Sequence, residues 1–413
     1  MRRSASMTFI LVVFLIDTMG LGLIIPVLPR LIEQLAGGIN AGSLYNGLFI
    51  AIYSAMQFIF ASLLGALSDR YGRRPVLLIS LLATALDYLI AALTPYLWLL
   101  LVTRVMAGVL ASTFSVANAY IADISKPQER AKNFGLVGAI FGIGFILGPA
   151  LGGLLGNAGL RLPFYFAAGL ALLNALYGYF VLPESLEPEN RSSTRPSLTN
   201  PLASLSVLGR VPLIRGLSLS IVLLNLAFQL LYSVWVLYTG YRFGWTAWQI
   251  GLSLMLVGVV SVVSQGWLVG AVVPRLGERR AVLLSFGVGV LDYIFYGLST
   301  QSWMIYATIL LGLIGNLGGP ALQALISRAA SDKEQGTVQG ALAALASLTG
   351  VVGPLLGGFI FAAFAKEGGV NWLVGMPFFL GALLYALALL NTTLTFRRLP
   401  EETSKSQPIE PVA

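Results

Sequence analysis

An all-α membrane protein of twelve transmembrane helices, in two six-helix bundles related by a parallel pseudo-repeat, is what this sequence predicts. Three observations carry that. Of 413 residues, 57% are hydrophobic and only 10% charged, whereas soluble domains carry about 25% charge. Apolar runs such as Leu44–Leu64 and Val76–Leu93 are long enough, at about 1.5 Å per residue, to cross a hydrocarbon layer of roughly 30 Å. Finally, the chain repeats itself. Gly65-Ala-Leu-Ser-Asp69-Arg70-Tyr-Gly72-Arg73-Arg74-Pro75, moved on by 205 positions, overlies Gly270-Ala-Val-Val-Pro274-Arg275-Leu-Gly277-Glu-Arg279-Arg280. At the same offset Leu86-Asp87-Tyr88 meets Leu291-Asp292-Tyr293, and Gly148-Pro149 through Gly153 meets Gly353-Pro354 through Gly358. Matches in three places at one offset indicate two fused halves with the same internal order.

Taken in order, Arg2 and Arg3 precede the apolar run Thr8–Leu28. That run is too long for the core of a signal peptide and lacks a small-residue cleavage site, so it is expected to stay as the first span. The next five spans are expected at 44–64, 76–94, 97–121, 134–155 and 162–182. The Gly65–Pro75 stretch is read as a short basic link that holds the second and third spans antiparallel. Residues 184–212 are rich in Pro, Ser and charge and read as a linker between a first bundle (1–183) and a second (213–396). Six further spans are expected at 213–238, 248–270, 280–299, 302–326, 336–362 and 370–394, then a polar tail at 397–413. The many glycines in these spans suit close helix packing in lipid.

Charge gives the orientation. Alternating the loops between two sides puts 20 of the 25 lysines and arginines on the side of both termini, and only Arg30, Arg161, Arg242 and Lys366 opposite. The positive-inside bias therefore predicts cytoplasmic termini in a cell membrane. The net charge of +8 is thus a topology signal, not a nucleic-acid footprint. With no cysteine and no histidine, disulfides, thiolate metal sites and a histidine base are excluded, and proton chemistry falls to carboxylates. No phosphate-binding GxxxxGK[ST] loop is present, so an ion gradient must supply the energy.

Three carboxylates lie well inside apolar spans: Asp17 in the first, Asp87 in the third and Asp292 in the ninth. Each costs about 2.5–3.5 kcal/mol at the centre of a membrane helix, so a sequence that keeps three uses them in a wet cavity or against a partner. Taking a carboxylate out of water disfavours its charged form, which makes each a candidate proton carrier. The repeat relates Asp87 to Asp292, so the two are expected to face each other across the pseudo-symmetry axis. Arg104, inside the fourth span, either pairs with Asp17 or Asp87 or snorkels to the interface. Asp123 lies 19 residues on, about 28 Å by helical rise, too far to serve it. At the inner edge Asp69, Arg70, Arg73, Asp123 and Arg130 form a candidate gate, with an Asp69–Arg130 pair that breaks on opening. Pro274 and Gln335 stand at the corresponding places of the second half. Gly144, Gly148, Pro149 and Gly152 crowd the fifth span, where the proline is expected to kink the helix. Gln57, Gln229 and Gln265 are amides that either bind a polar solute or bond between helices.

These residues resemble the major facilitator superfamily. The Gly65–Pro75 link is similar to that family's signature between the second and third helices. Arg104-Val-Met-Ala-Gly108 resembles its fourth-helix motif, and Gly144-Phe-Ile-Leu-Gly148-Pro149 its antiporter motif. Over nearly its whole length the chain resembles the tetracycline/proton antiporters, through Asp17 to Pro29, Tyr53-Ser-Ala-Met-Gln57-Phe, Ser68-Asp69, Leu86-Asp87-Tyr88, Ile250-Gly-Leu-Ser-Leu254 and Pro320 to Arg328. The resemblance implies that Asp17, Asp87 and Asp292 serve substrate and proton binding, that Gln57 and Gln265 line a central cavity, and that Arg104 and Asp69 are charged motif positions. Where that family has an eighth-helix histidine this chain has Ser261. The family exports a magnesium–tetracycline chelate, so a metal is expected only as part of the substrate and no cofactor is expected. The expected function is a monomeric proton-coupled antiporter exporting a drug-like or amphiphilic solute, with protons and solute competing for the aspartates. An importer of a small polar solute is the alternative, and a non-transporting receptor a remote one.

Overall fold

A computed structural model describes residues 7–398, apart from 111–112, 127–128, 188, 190, 192–207, 210, 331–334 and 366–371. The linker and tail anticipated from the sequence therefore fall largely outside the described residues. Sixteen α-helices are present among them, in the order α1 (Met7–Ile24), α2 (Leu28–Ala36), α3 (Ile39–Tyr71), α4 (Arg73–Leu93), α5 (Leu97–Leu110), α6 (Thr113–Ile124), α7 (Arg130–Ala158) and α8 (Leu162–Val181). The second set is α9 (Pro212–Phe243), α10 (Ala247–Val263), α11 (Val269–Leu276), α12 (Glu278–Leu298), α13 (Ser302–Gly315), α14 (Gly318–Ala329), α15 (Gln335–Phe364) and α16 (Met376–Arg398). Among the described residues, eleven segments are long and apolar enough to span a membrane, and α5 is a shorter apolar helix, with α6 following it in the same predicted span. Together they make the twelve spans.

Several spans are longer or more broken than the apolar runs implied. The first is interrupted by a turn at 25–27; α2 starts at Leu28 with Pro29 in its first turn and ends at Gly37 in the left-handed region (φ +82°), a conformation that suits glycine. The Gly65–Pro75 stretch is not a loop. α3 continues to Tyr71, Gly72 alone turns the chain (φ +105°), and α4 begins at Arg73. Its repeat partner Gly277 turns the chain likewise (φ +82°). The helix outlasts the apolar run because helical hydrogen bonding is indifferent to side-chain polarity, and here it is Gly72, in positive φ, that ends it. Pro149 does not interrupt α7, which runs from Arg130 to Ala158 around it.

Packing follows the repeat. In the first half α1 packs on α7, α3 on α5, and α4 on α8; in the second α9 packs on α15, α10 on α13, and α12 on α16. Four hydrophobic clusters, two per half, form the cores. Exposed Phe180, Trp267 and Phe359 belong to a lipid-facing belt, since lipid solvates apolar side chains as well as protein does. On the face away from the termini, Tyr96, Trp98, Trp303 and Trp372 are exposed at helix ends, where amphipathic rings sit at headgroup level.

The halves meet along two seams, α3 against α15 and α7 against α10. Both are built on glycine. A Cβ on Gly358 would lie 2.5 Å from the Ser43 carbonyl and 3.3 Å from the Gly47 Cα; one on Gly153 would lie 3.0 Å from the Gly251 Cα. These contacts lie in the half of the bundle away from the termini, as do the cross-half hydrogen bonds from Asn46 Nδ2 to the Ser233 carbonyl (2.7 Å) and from Arg30 to the Trp245 carbonyl. Toward the termini, a Cβ on Gly65, Gly266, Gly270 or Gly340 would meet nothing within 4 Å. The described contacts that zip the halves together therefore lie at the mouth away from the termini.

Candidate functional site

α5 buries Leu100, Thr103, Arg104 and Gly108 along one stripe, the spacing of a single helix face. Gly108 lets α3 approach, because a Cβ there would stand 2.7 Å from the Met56 Cβ. That approach brings Tyr53 toward Arg104. From α4, Asp87 reaches the same place: Arg104 Nη2 donates to Asp87 Oδ2 at 3.0 Å and to Oδ1 at 3.4 Å. The side chains are 6% and 1% exposed. Of the partners open to Arg104, the structure chooses Asp87, and the guanidinium does not snorkel. Breaking a buried pair of this kind strands a charge, so each partner fixes the other.

Asp17 joins them. Gly20, one turn on in α1, leaves room for the Tyr88 ring, 3.5 Å from where a Cβ would stand. Asp17, Tyr53, Thr84, Asp87, Tyr88 and Arg104 line one cavity of about 40 Å³, with Leu21, Ile24, Ala107 and Leu110 as its apolar wall. This is room for water, while drug-sized solutes occupy sites of several hundred Å³. That Tyr53 and Thr84 line a cavity was not legible in advance, since neither residue type is costly in a membrane helix.

Asp292 is not in this cavity, and the expectation that it faces Asp87 fails. Both aspartates lie on the third helix of their half, and α4 and α12 pack against α8 and α16 of their own halves, not across the seams. Asp292 is 9% exposed, its Oδ1 has no hydrogen-bond partner, and its Oδ2 would lie 3.3 Å from a Cβ on Gly315, beside the break between α13 and α14. Tyr293, Tyr296 and Tyr385 lie within its electrostatic reach. The repeat explains the missing partner. Thr103-Arg104 corresponds to Thr308-Ile309 at the same offset, and Ile309 is buried.

The amides disperse. Gln57 is half-buried on α3, whereas Gln229 fills the space left by Gly353 and approaches Gly350, beside Ser54 at the seam. Gln265 is exposed, in a π-helical turn (Ser264–Leu268) that continues α10 and that the sequence did not signal. Such turns insert one residue and re-aim side chains. Ser264 Oγ anchors the turn to the Leu313 carbonyl (2.8 Å). Ser261 accepts a hydrogen bond from Asn316 Nδ2 at 3.3 Å.

At the face of the termini, Arg73 is the hub. It is 8% exposed and pairs with Asp69 (2.5 Å) and Asp123 (3.2 Å), while its Nη1 donates to Ser68 Oγ. The side chain of Arg130, the expected partner of Asp69, lies outside the described residues, and Arg70 lies over the Tyr71 ring. Sequence reasoning missed Glu184, whose carboxylate accepts from the Arg73 (2.8 Å) and Arg74 amides and so caps α4. It also missed a pair recorded in the repeat. The Arg73–Asp123 bridge recurs 205 residues on as Glu278–Arg328, with the charges exchanged. In α7, Gly144, Gly148 and Gly152 all face α1: a Cβ on Gly144 would stand 2.8 Å from the Thr18 Cβ, and one on Gly148 2.7 Å from the Gly22 Cα. The Pro149 ring fills the space that Gly22 leaves.

The Major Facilitator Superfamily model matches residues 10–314 and 293–412. The tetracycline resistance protein, class C, of Escherichia coli is 40% identical over 384 residues, covering 93% of this chain and 96% of that protein. The class H tetracycline resistance protein of Pasteurella multocida is 34% identical, over 98% of this chain and 99% of its own. The crystal structure of a bacterial homologue of the human lysosomal transporter Spinster superposes with a TM-score of 0.77 over 95% of this chain and 96% of that one. At 16% identity, that is a likeness of fold alone.

Proposed function

Because the chain belongs to the major facilitator superfamily, we propose that it is a proton-coupled antiporter that exports a drug-like amphiphile, tetracycline being the first solute to test. Near-full-length identity to tetracycline resistance proteins supports efflux. The observation that carries the coupling is that half-buried Asp17 and buried Asp87 line one small cavity, with Arg104 holding Asp87. The cavity admits water and protons but not the solute, which on this reading uses a cleft between the halves that opens as they rock. With the termini cytoplasmic, as the basic loops favour, that cleft opens inward. Solute entering it and protons reaching the aspartates from the other side act on one another through the rocking of the halves along the glycine seams. Protonation then favours the state that releases solute outside. On this reading a divalent metal enters only as part of a chelated solute.

The test is tetracycline uptake into everted membrane vesicles under an imposed pH gradient, for the unmodified chain and for Asp87→Asn. Uptake is normalised to folded protein, because the substitution strands Arg104. Uptake that vanishes when the gradient is collapsed and falls to background in Asp87→Asn supports the reading. Uptake indifferent to both removes it.

A further inference from the structure

The closed mouth of the bundle carries a second cavity that the transport reading leaves unused. At about 570 Å³ it falls in the range of drug-sized sites, and it is more than ten times the volume of the cavity around Asp17 and Asp87. Its walls come from both halves: Arg30, Glu33 and Ile39 from the first, Val236 and Tyr241 from the second. Gly37, Gly38 and Gly240 also border it, and a Cβ at either of the first two would meet nothing within 4 Å. The space is therefore left open by the backbone.

Its charges are unevenly committed. Arg30 donates to the Trp245 carbonyl across the seam and lies over Gly240. Glu33, one turn along α2 and half-buried, has Arg30 as its charged neighbour but is in no ion pair with it or with any other described residue. The cavity thus offers a carboxylate beside an apolar wall and a tyrosine ring. We propose that this is a binding site for an organic cation with an aromatic or aliphatic body, reached from the face away from the termini. The ammonium would lie toward Glu33, and the body would lie on Ile39, Val236 and Tyr241. Because the walls belong to both halves, the site exists only while this mouth is shut. A ligand there stabilises the closed mouth by the amount of its differential affinity for the two states, and so acts as an inhibitor from outside. The binding part stands on the cavity alone; the inhibition rests on the efflux reading.

The probe is benzyltriethylammonium, a permanent cation with a phenyl ring. Its binding to the full-length protein in lipid nanodiscs is measured by calorimetry, for the unmodified chain, Glu33→Gln and Asp87→Asn. Saturable binding that weakens at least about tenfold in Glu33→Gln, a change of 1.4 kcal/mol, and survives in Asp87→Asn is the expected result. Glu33→Gln keeps shape and removes charge, so an intact melting temperature separates lost recognition from lost folding. Binding unchanged in Glu33→Gln, or lost in Asp87→Asn protein that keeps its melting temperature, overturns the site. In sealed proteoliposomes oriented by protease accessibility of the C-terminal tail, the probe should inhibit only from the face away from the termini. If no solute is transported in any preparation the efflux reading fails, while the calorimetric result still decides the site.

Discussion

Asp87 and Asp292 occupy the same position of the repeat, each beside a tyrosine on the third helix of its half. Asp87 is clamped by Arg104 at 3.0 Å. In the second half Ile309 takes the place of that arginine, and Asp292 is left with a buried oxygen that bonds to nothing. One fold therefore supports two electrostatic solutions. A buried carboxylate with a fixed counter-charge is stabilised as the anion, and losing either partner is costly. A buried carboxylate without one is accommodated only by binding a proton, water or a cation. On the proposed reading, the clamp ties the proton chemistry of Asp87 to folding, whereas Asp292 can take up or lose a proton without breaking an ion pair. At the face of the termini the same comparison runs the other way: Arg73–Asp123 and Glu278–Arg328 preserve a bridge with the signs exchanged, because an ion pair asks only for opposite charges.

The largest expected effect comes from breaking the clamp. Arg104→Ala strands Asp87 in the interior and should cost about 3–5 kcal/mol, read as a large drop in melting temperature and in monodisperse protein by fluorescence-detected chromatography. Asp292→Asn breaks no ion pair, so it should abolish pH-driven transport while leaving the melting temperature within a few degrees. A loss of folding as severe as that of Arg104→Ala would erase the distinction between the halves. Overpacking the seam inside the first half comes next. Gly148→Leu pushes a side chain onto Gly22 and should destabilise by about 1–3 kcal/mol, with Gly148→Ala milder in the same melting assay. Ile309→Arg sharpens the comparison by giving Asp292 a counter-charge. Transport should fail, and adding Asp292→Asn should then lower stability, which it does not do alone; a double-mutant cycle reads the sign. Smallest of all is the exposed bridge: Arg328 is 65% exposed, so Arg328→Ala should shift stability by under about 1 kcal/mol.

Much of this was written in one dimension. Apolar run length supplied the number of spans, and the offset of 205 residues supplied two halves, because hydrophobic burial and repetition are both patterns along the chain. The cost of charge in lipid marked Asp17, Asp87, Asp292 and Arg104. The sequence left Arg104 between two partners and could not show that Asp292 has none, although Ile309 at the repeat position held the clue. It placed Asp87 opposite Asp292, where helix packing keeps them apart. Thr84, cheap in a membrane helix, carried no mark, and Tyr53 stood only inside a stretch that resembles the family, with nothing to place it in the cavity. Glu184 could not be read as a cap for α4, since it lies 111 residues from the amide it accepts.

The sequence by itself thus determined that this chain crosses a membrane twelve times as two related halves, and which few groups are too expensive to be idle. Transfer free energies depend on residue type and run length, which any linear reading retains. Only the tertiary structure decided which charge meets which, which mouth of the bundle is zipped, and that a second cavity lies across the closed one. Those outcomes depend on distances between helices far apart in the chain, set by where glycines let backbones touch.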